Sequence, residues 1–286
     1  MESRPLRYFV AVAEELNFAR AAERLGISAP PLSRAIRRLE TELGVILFER
    51  TTHNVTLTPA GTVLLAEARI ALDALRAAGR RTQRAAGPEP KLVLAVKADG
   101  DAGLLEPILD RYAREPGAVP VAVRLCGWHE QPRLLRCGEA DVALVHEPFD
   151  HTGLDAETLA AEPRVVALAA GHPLADRDHL TLADLGLHAG DLHRFLDEIR
   201  QETRDLAQLL ALVGLGRVAP LLPASVASRY PRSGVVYRPV LDAPPVILAI
   251  AWPQQSRSTA TAALIRTATA TAAATHDHPA DQGRNL

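Results

Sequence analysis

Apolar positions recur at helical spacing over roughly the first ninety residues, then gather into short unbroken runs over the remainder. Leu6, Phe9, Val10, Ala13 and Leu16 lie three or four apart and predict a first amphipathic helix. Asn17 can cap a second helix, "FARAAERL", whose small Ala21 and Ala22 permit close packing against a neighbour. Gly26 is placed to end that helix as a left-handed residue. Ser28 is then expected to cap a third helix, with Ala29, Pro30 and Pro31 in its first turn. Backbone N–H groups in that turn have no intrahelical partner, so proline loses little there. Leu32, Ala35, Ile36, Leu39 and Leu43 line one face, while Ser33, Arg34, Arg37 and Arg38 line the other. Two short helices joined by a glycine break, the second basic outside, predict a helix-turn-helix with Ser28–Leu43 as the reading helix.

"VILFERTTHNVTLT" holds two β-rich runs around Thr52, His53 and Asn54, a pattern expected of a hairpin wing. Thr58-Pro59 opens a long helix in which Leu64, Ala68, Ala71, Leu75 and Ala78 form an alanine-rich seam, the mark of a dimerisation helix. "RRTQRAAGPEP" reads as a linker. Beyond it, "KLVLAV", "VPVAVRL" and "ADVALV" alternate with a helix at about Ala102–Arg114 and a short one at "QPRLLRCG", a rhythm that predicts a parallel sheet. "LAQLLALVGLG" predicts another helix, "RVAPLLP", "GVVYRP" and "PVILAIAWP" further strands, and Thr259 to about Ala274 a closing helix. "THDHPADQGRNL" is polar and expected to be disordered.

Charge sharpens the division. Through Gly87 there are thirteen arginines against nine carboxylates, whereas the whole chain has net charge −2, so a basic head precedes an acidic body. Such a head is built to meet an anion, and Arg34, Arg37 and Arg38 can address phosphates or a guanine edge in a major groove. Ser33 can hydrogen-bond either, the helix start at Ser28–Pro31 adds its dipole, and Arg38 is also one turn from Glu42, with which it can pair. Two cysteines, Cys126 and Cys137, are too few for a disulfide framework and suit reduced thiols in a cytoplasmic protein. The apolar start is broken by Glu14 and Glu15 and does not read as a signal peptide, and no apolar run reaches the roughly 18 residues of a membrane span. No phosphate loop, nucleophile elbow or HExxH motif is present, and His276 and His278 have no further ligands at suitable spacing; neither enzyme chemistry, a metal nor a cofactor is expected.

"LRYFVAVAEELNFARAAERLGISAPPLSRAIRRLETELGVILFERTTHNVTLTPAGTVLLAEAR" closely resembles the N-terminal domain of LysR-type transcriptional regulators, over about the first eighty positions. "GEADVALV", "HPLA" and "LLP" extend the resemblance, more loosely, into the second half. It implies an α/β fold: a winged helix-turn-helix at 1–61, a linker and dimerisation helix at 62–90, and a two-subdomain effector domain like a periplasmic binding protein at 91–275, with 276–286 as a tail. Subdomain I would span about 91–164 and 246–275, and subdomain II about 165–245. Two departures are visible at the head: Ala29 stands where many members carry a glutamine, and His53-Asn54 replaces a segment that often contains arginine. A third lies between Leu185 and Leu206, where the chain is short and lacks a clear strand, so a reduced second subdomain is expected. In open α/β folds ligands bind beyond the carboxyl ends of the strands, which selects Asp99, Gly100, Asp101, Ala102, Cys126, Trp128 and His146, with Cys126 also open to a role as a thiol sensor. The implied partners are double-stranded promoter DNA, a small anionic effector, further copies of the chain as a homodimer or homotetramer, and RNA polymerase. A regulator without ligand response, and a metabolic enzyme or solute-binding protein of the same α/β fold, are the alternatives.

Overall fold

The computed structural model describes residues 2–276 apart from 52–53, 88–89, 193, 196–198, 200–202 and 204. The chain divides into two compact units, residues through Ala86 (with 136–138) and the rest.

In the first unit, α1 (Ser3–Glu15), α2 (Phe18–Arg24) and α3 (Ala29–Leu43) pack around Phe9, Val12, Ala22, Leu32, Ile36 and Leu39. α1 stops one residue earlier than its apolar spacing suggests. Leu16 takes a left-handed conformation (φ 46°) and is 46% exposed, because Asn17 begins the next helix immediately. Asn17 caps α2 as expected, its Oδ1 accepting from the N–H groups of Ala19 (2.9 Å) and Arg20 (3.1 Å). Gly26 then adopts φ 65°, and the bonds Gly26 N–H to Glu23 O and Ile27 N–H to Ala22 O, each 3.0 Å, close the helix as a Schellman motif.

α3 corrects one expectation. Ser28 has the extended backbone of a cap residue, yet its side chain makes no capping bond. A cap oxygen accepts from the second or third helical N–H, and here those residues are Pro30 and Pro31, which have none. Leu43, expected on the buried stripe, is 38% exposed at the last turn. Strands β1 (Phe48–Arg50) and β2 (Val55–Leu57) pair antiparallel as the wing. Thr58 accepts from Gly61 N–H (2.9 Å) to cap α4 (Pro59–Ala85) and donates to Ile46 O (2.8 Å), tying the wing to the long helix.

The seam expected on α4 is corrected too. Leu64 and Ala68 pack into the unit's own core with Leu72, while Val63, Ile70 and Leu75 are exposed. One helix serves two faces, and a heptad count over alanine-rich sequence cannot separate them.

The second unit holds two sheets. The first has order β4-β3-β5-β10-β6, from β3 (Leu92–Lys97), β4 (Val121–Cys126), β5 (Val142–His146), β6 (Leu154–Glu162) and β10 (Val246–Pro253). β3 is parallel to β4 and β5, but β10 runs antiparallel to β5 and β6, so the sheet is mixed rather than wholly parallel. The reason is connectivity: the chain leaves along β6 and comes back along β10 in the opposite direction. β6 was not anticipated from the sequence. β4 is an edge strand on which Val123 (41%) and Leu125 (66%) are exposed, which aliphatic composition alone does not reveal.

α5 (Leu105–Tyr112) and α9 (Thr259–His276) cover one face of this sheet through Ile108, Tyr112, Leu264 and Ala268, and α6 (Gln131–Arg136) covers the other through Leu134 and Leu135. α5 starts later than expected because Asp99, Ala102 and Gly103 all have positive φ, which a right-handed helix cannot include.

The second sheet, β8-β7-β9, is antiparallel throughout and consists of β7 (Arg164–Ala169), β8 (Leu221–Pro223) and β9 (Val235–Pro239). Alternate residues of β7 feed two small cores. Val165 and Ala167 meet α7 (Leu206–Gly214) and Val226 of α8 (Ala224–Arg229), while Val166 and Leu168 meet Leu180, Leu192 and Val240. Among the described residues of 186–205 there is no strand.

Candidate functional site

Helix α3 is held by three apolar side chains, Leu32, Ile36 and Leu39, each no more than 1% exposed. That anchoring turns Arg34, Arg37 and Arg38 outward, and all three are exposed, as are Ser28, Pro30 and Pro31; Ala29 and Ser33 are half-buried. Of the first three helical residues only Ala29 carries an N–H, so the helix start offers a dipole but few backbone donors.

Sequence reasoning missed Arg50, on the first wing strand. Its guanidinium donates to Ser33 Oγ at 3.5 Å, lies 3.5 Å from Glu40 Oε2 and sits 4.4 Å from the centroid of the Phe18 ring. Glu40 in turn accepts from the N–H of Leu47 at 2.9 Å. One arginine thereby ties the wing to α2 and α3, and Ser33 is partly engaged by it. Asn54 lies exposed beyond β1, with its N–H donated to Thr51 Oγ1 (3.0 Å); Thr52 and His53 fall outside the described residues. A second polar cluster sits behind α1, where Glu14 meets Arg24 (2.8 Å) and Arg69 (3.0 Å). Burial alone would raise the Glu14 carboxyl, but the hydrogen bonds and charges of Arg69 and Arg24 outweigh it and hold it below the usual carboxylate range.

In the second unit a cavity of about 150 Å³ lies between the two sheets. Asp99, Gly100, Trp128 and His146 line it, as their place after the strands suggests. Cys126, Asp101 and Ala102 do not line it. Asp101 borders a separate open groove with Arg229 and Tyr230, and Ala102 packs towards the core under α5. Burial, with the charge of Glu130 adding to it, pushes the Cys126 thiol up to about 11. Such a thiol is largely protonated near neutrality, which makes it a slow nucleophile.

The sequence reading also missed Lys97, Gln131 and Arg164. Lys97 ends β3 with its ammonium 3.8 Å from the Trp128 ring centroid and donates to Ala98 O. Gln131 and Arg164 are both buried at the cavity, and Arg164 Nε donates to Pro244 O at 2.8 Å. A buried arginine opening the apolar run "RVVALA" was the available signal, since burying a guanidinium is costly without a task. The carboxylates at the wall are engaged, Asp99 by the Tyr230 hydroxyl and Glu147 by His151 at 3.1 Å. His129 also reaches the wall, and most of what remains is apolar, including Leu206, Leu209, Leu222 and Val226. Cationic groups beside an apolar bed suit a small organic anion.

Among the described residues no group of histidines, cysteines and carboxylates could hold a metal, and no helix is long and apolar enough to cross a membrane.

Comparison with known proteins agrees with both halves of this description. Residues 3–62 match the model of the bacterial regulatory helix-turn-helix protein, lysR family, and residues 85–273 match the LysR substrate binding domain. The Hca operon transcriptional activator HcaR of Escherichia coli (strain K12) is 32% identical over 273 residues, covering 88% of this chain and 92% of the relative. The regulator AlsR of Bacillus subtilis (strain 168) is 39% identical over 186 residues, 65% of this chain and 62% of the relative. Full-length CbnR, solved in complex with its target DNA, superposes with a TM-score of 0.51 at 25% identity, covering 95% of this chain and 100% of that one.

Proposed function

The chain belongs to the LysR family of bacterial helix-turn-helix transcriptional regulators, and from that premise we propose how it reads DNA and what it senses. It is a DNA-binding regulator with an effector-binding domain. Its reading surface is the outer face of α3, with Arg34, Arg37 and Arg38 addressing bases and phosphates while Ser28 and Ser33 supply hydroxyl contacts. Asn54, just beyond the first wing strand, approaches the neighbouring groove. A homodimer or homotetramer, formed along the exposed side of α4 where Val63 and Ile70 stand a heptad apart, presents paired heads to a pseudo-palindromic promoter site, in contact with RNA polymerase. The observation that carries this is the opposition on α3, where three apolar residues are locked in the core and three arginines face outward. The relative solved on its target DNA supports it.

Gel-shift titration on the DNA upstream of the chain's own gene tests it. The expected result is a specific complex that weakens with salt and loses about 1–3 kcal/mol of binding in Arg34→Ala. Unchanged affinity in that variant would remove α3 from the reading surface.

The effector is a small carboxylate with an apolar body, seated between Lys97, Arg164 and Trp128. A cavity of about 150 Å³ has the size that accepts a single benzene-like ring. Calorimetry with a panel of small carboxylates, on the parent and on Arg164→Met, tests this. At least one is expected to bind the parent and lose about tenfold or more in the variant; equal binding to both would overturn it.

A further inference from the structure

The loop leaving β3 does more than line the cavity. Asp101 Oδ1 accepts from Arg229 Nη1 at 2.6 Å, and Asp99 accepts from the Tyr230 hydroxyl. The two acceptors belong to the sheet formed by β3 and its neighbours, and the two donors lie at the end of α8, beside the other sheet. These residues are 128 and 131 positions apart in the chain, so the contacts exist only when the two halves of the unit meet.

The loop is shaped to hold them. Asp99 (φ 62°) and Ala102 (φ 51°) are non-glycine residues in the left-handed region, a conformation that persists where its surroundings over-determine it. Asp101 divides its carboxylate, Oδ2 accepting from Leu105 N–H at 3.2 Å while Oδ1 holds Arg229. Arg229 lies directly on the loop: a Cβ on Gly103 would come within 2.5 Å of its Nη2. The same few residues, Asp99 and Gly100 with Lys97 just before them, form part of the cavity wall. One loop therefore both lines the cavity and makes these contacts.

We propose that the Asp99–Tyr230 and Asp101–Arg229 contacts form a latch that holds the two sheets together over the cavity, opens to admit the effector and re-forms behind it. The proposal rests on reading the cavity as the effector site. Two features suit a reversible latch. The chain crossovers near Pro163 and between Val240 and Val246 are covalent and persist when the halves part. The Asp101–Arg229 pair is partly exposed, the arginine side chain at 36%, so water can take over its hydrogen bonds. The strength of the latch then sets how much effector is needed to act, because binding must first meet the cost of opening.

The test uses the ligand-free full chain, which separates it from the identity of the effector. In a Trp252→Phe background the remaining tryptophan is Trp128 at the cavity wall, and its quenching by acrylamide reports access to the cavity. Arg229→Ala, and Tyr230→Phe separately, are expected to raise the quenching constant about threefold and amide exchange in 98–104 and 224–230 about tenfold, leaving exchange in α1–α3 unchanged. Asp101→Asn retains an acceptor for Leu105 and should act like Arg229→Ala, the double variant going no further than the larger single effect. Quenching and exchange at parental values in the variants, or effects of Asp101→Asn and Arg229→Ala that simply add, would overturn the latch. Carboxylate binding by calorimetry, read on the same proteins, reports separately on the effector reading.

Discussion

Replacing Ser28 by alanine should leave the first unit as stable as before, although a serine that opens a helix ordinarily contributes about 1 kcal/mol through its cap bond. That contribution comes from the side-chain oxygen accepting the N–H of the second or third helical residue. In α3 those positions are Pro30 and Pro31, and Ser28 makes no such bond. What remains is an exposed hydroxyl, whose loss is worth a few tenths of a kcal/mol at most. Asn17 provides the control in the same unit, since its Oδ1 accepts from two N–H groups at 2.9 and 3.1 Å. Asn17→Ala should cost about 1–2 kcal/mol, a five- to thirtyfold shift towards the unfolded unit. Native-state hydrogen exchange of the slowest amides in α1 and α3 of the full chain reads both variants with one probe. The expected result is about five- to thirtyfold faster exchange in Asn17→Ala and less than about twofold in Ser28→Ala. Equal acceleration in the two would refute the reasoning that the prolines disable the cap. Because its hydroxyl is left available, Ser28→Ala is instead expected to weaken promoter binding severalfold.

Three more outcomes follow from particular contacts. Gly61→Ala would place a Cβ 2.2 Å from Leu47 O, a backbone atom between wing and long helix, and should cost about 3 kcal/mol or more, visible as a lower urea midpoint for the first unit. Glu14 titrates lower folded than unfolded, so its contribution is present above the unfolded value and is lost as pH falls through the folded one. Stability of the first unit should therefore drop below about pH 4.5, and Arg69→Ala should flatten that dependence in acid-unfolding curves. Cys126, with its thiol at about 11, should resist iodoacetamide near neutrality and react as pH approaches that value, followed by mass spectrometry; fast alkylation at pH 7.5 would refute the burial argument.

Local chemistry made the first unit readable in the sequence. A side-chain repeat of three and four, a cap within three residues and a glycine at a helix end act over one or two turns, so α1, α2, α3, the Asn17 cap and the Gly26 closure are visible without any tertiary knowledge. The row Arg34, Arg37 and Arg38 is visible for the same reason, because apolar Leu32, Ile36 and Leu39 dictate which side turns out. Even the missing cap at Ser28 was written locally, in the two prolines that follow it. Candidate cavity residues were partly legible: Asp99, Gly100, Trp128 and His146 follow strands whose carboxyl ends the fold gathers together.

The rest depended on contacts far apart in the chain. Leu64 and Ala68 face inward on α4 because α1 lies there, a fact that no heptad count contains. β4 is an edge, and β10 runs against β5, because of the path by which the chain returns through a second sheet. Arg164 meets the cavity, and Asp101 meets Arg229, across separations that no periodicity spans. The helices, their caps and the outward arginines thus follow from local order along the chain, since each is set by neighbours within a few bonds or one turn. Which apolar face is covered, which charges share the cavity and which loop meets the second sheet are settled by long-range packing, since each needs the free energy of contact between segments brought together by the whole fold.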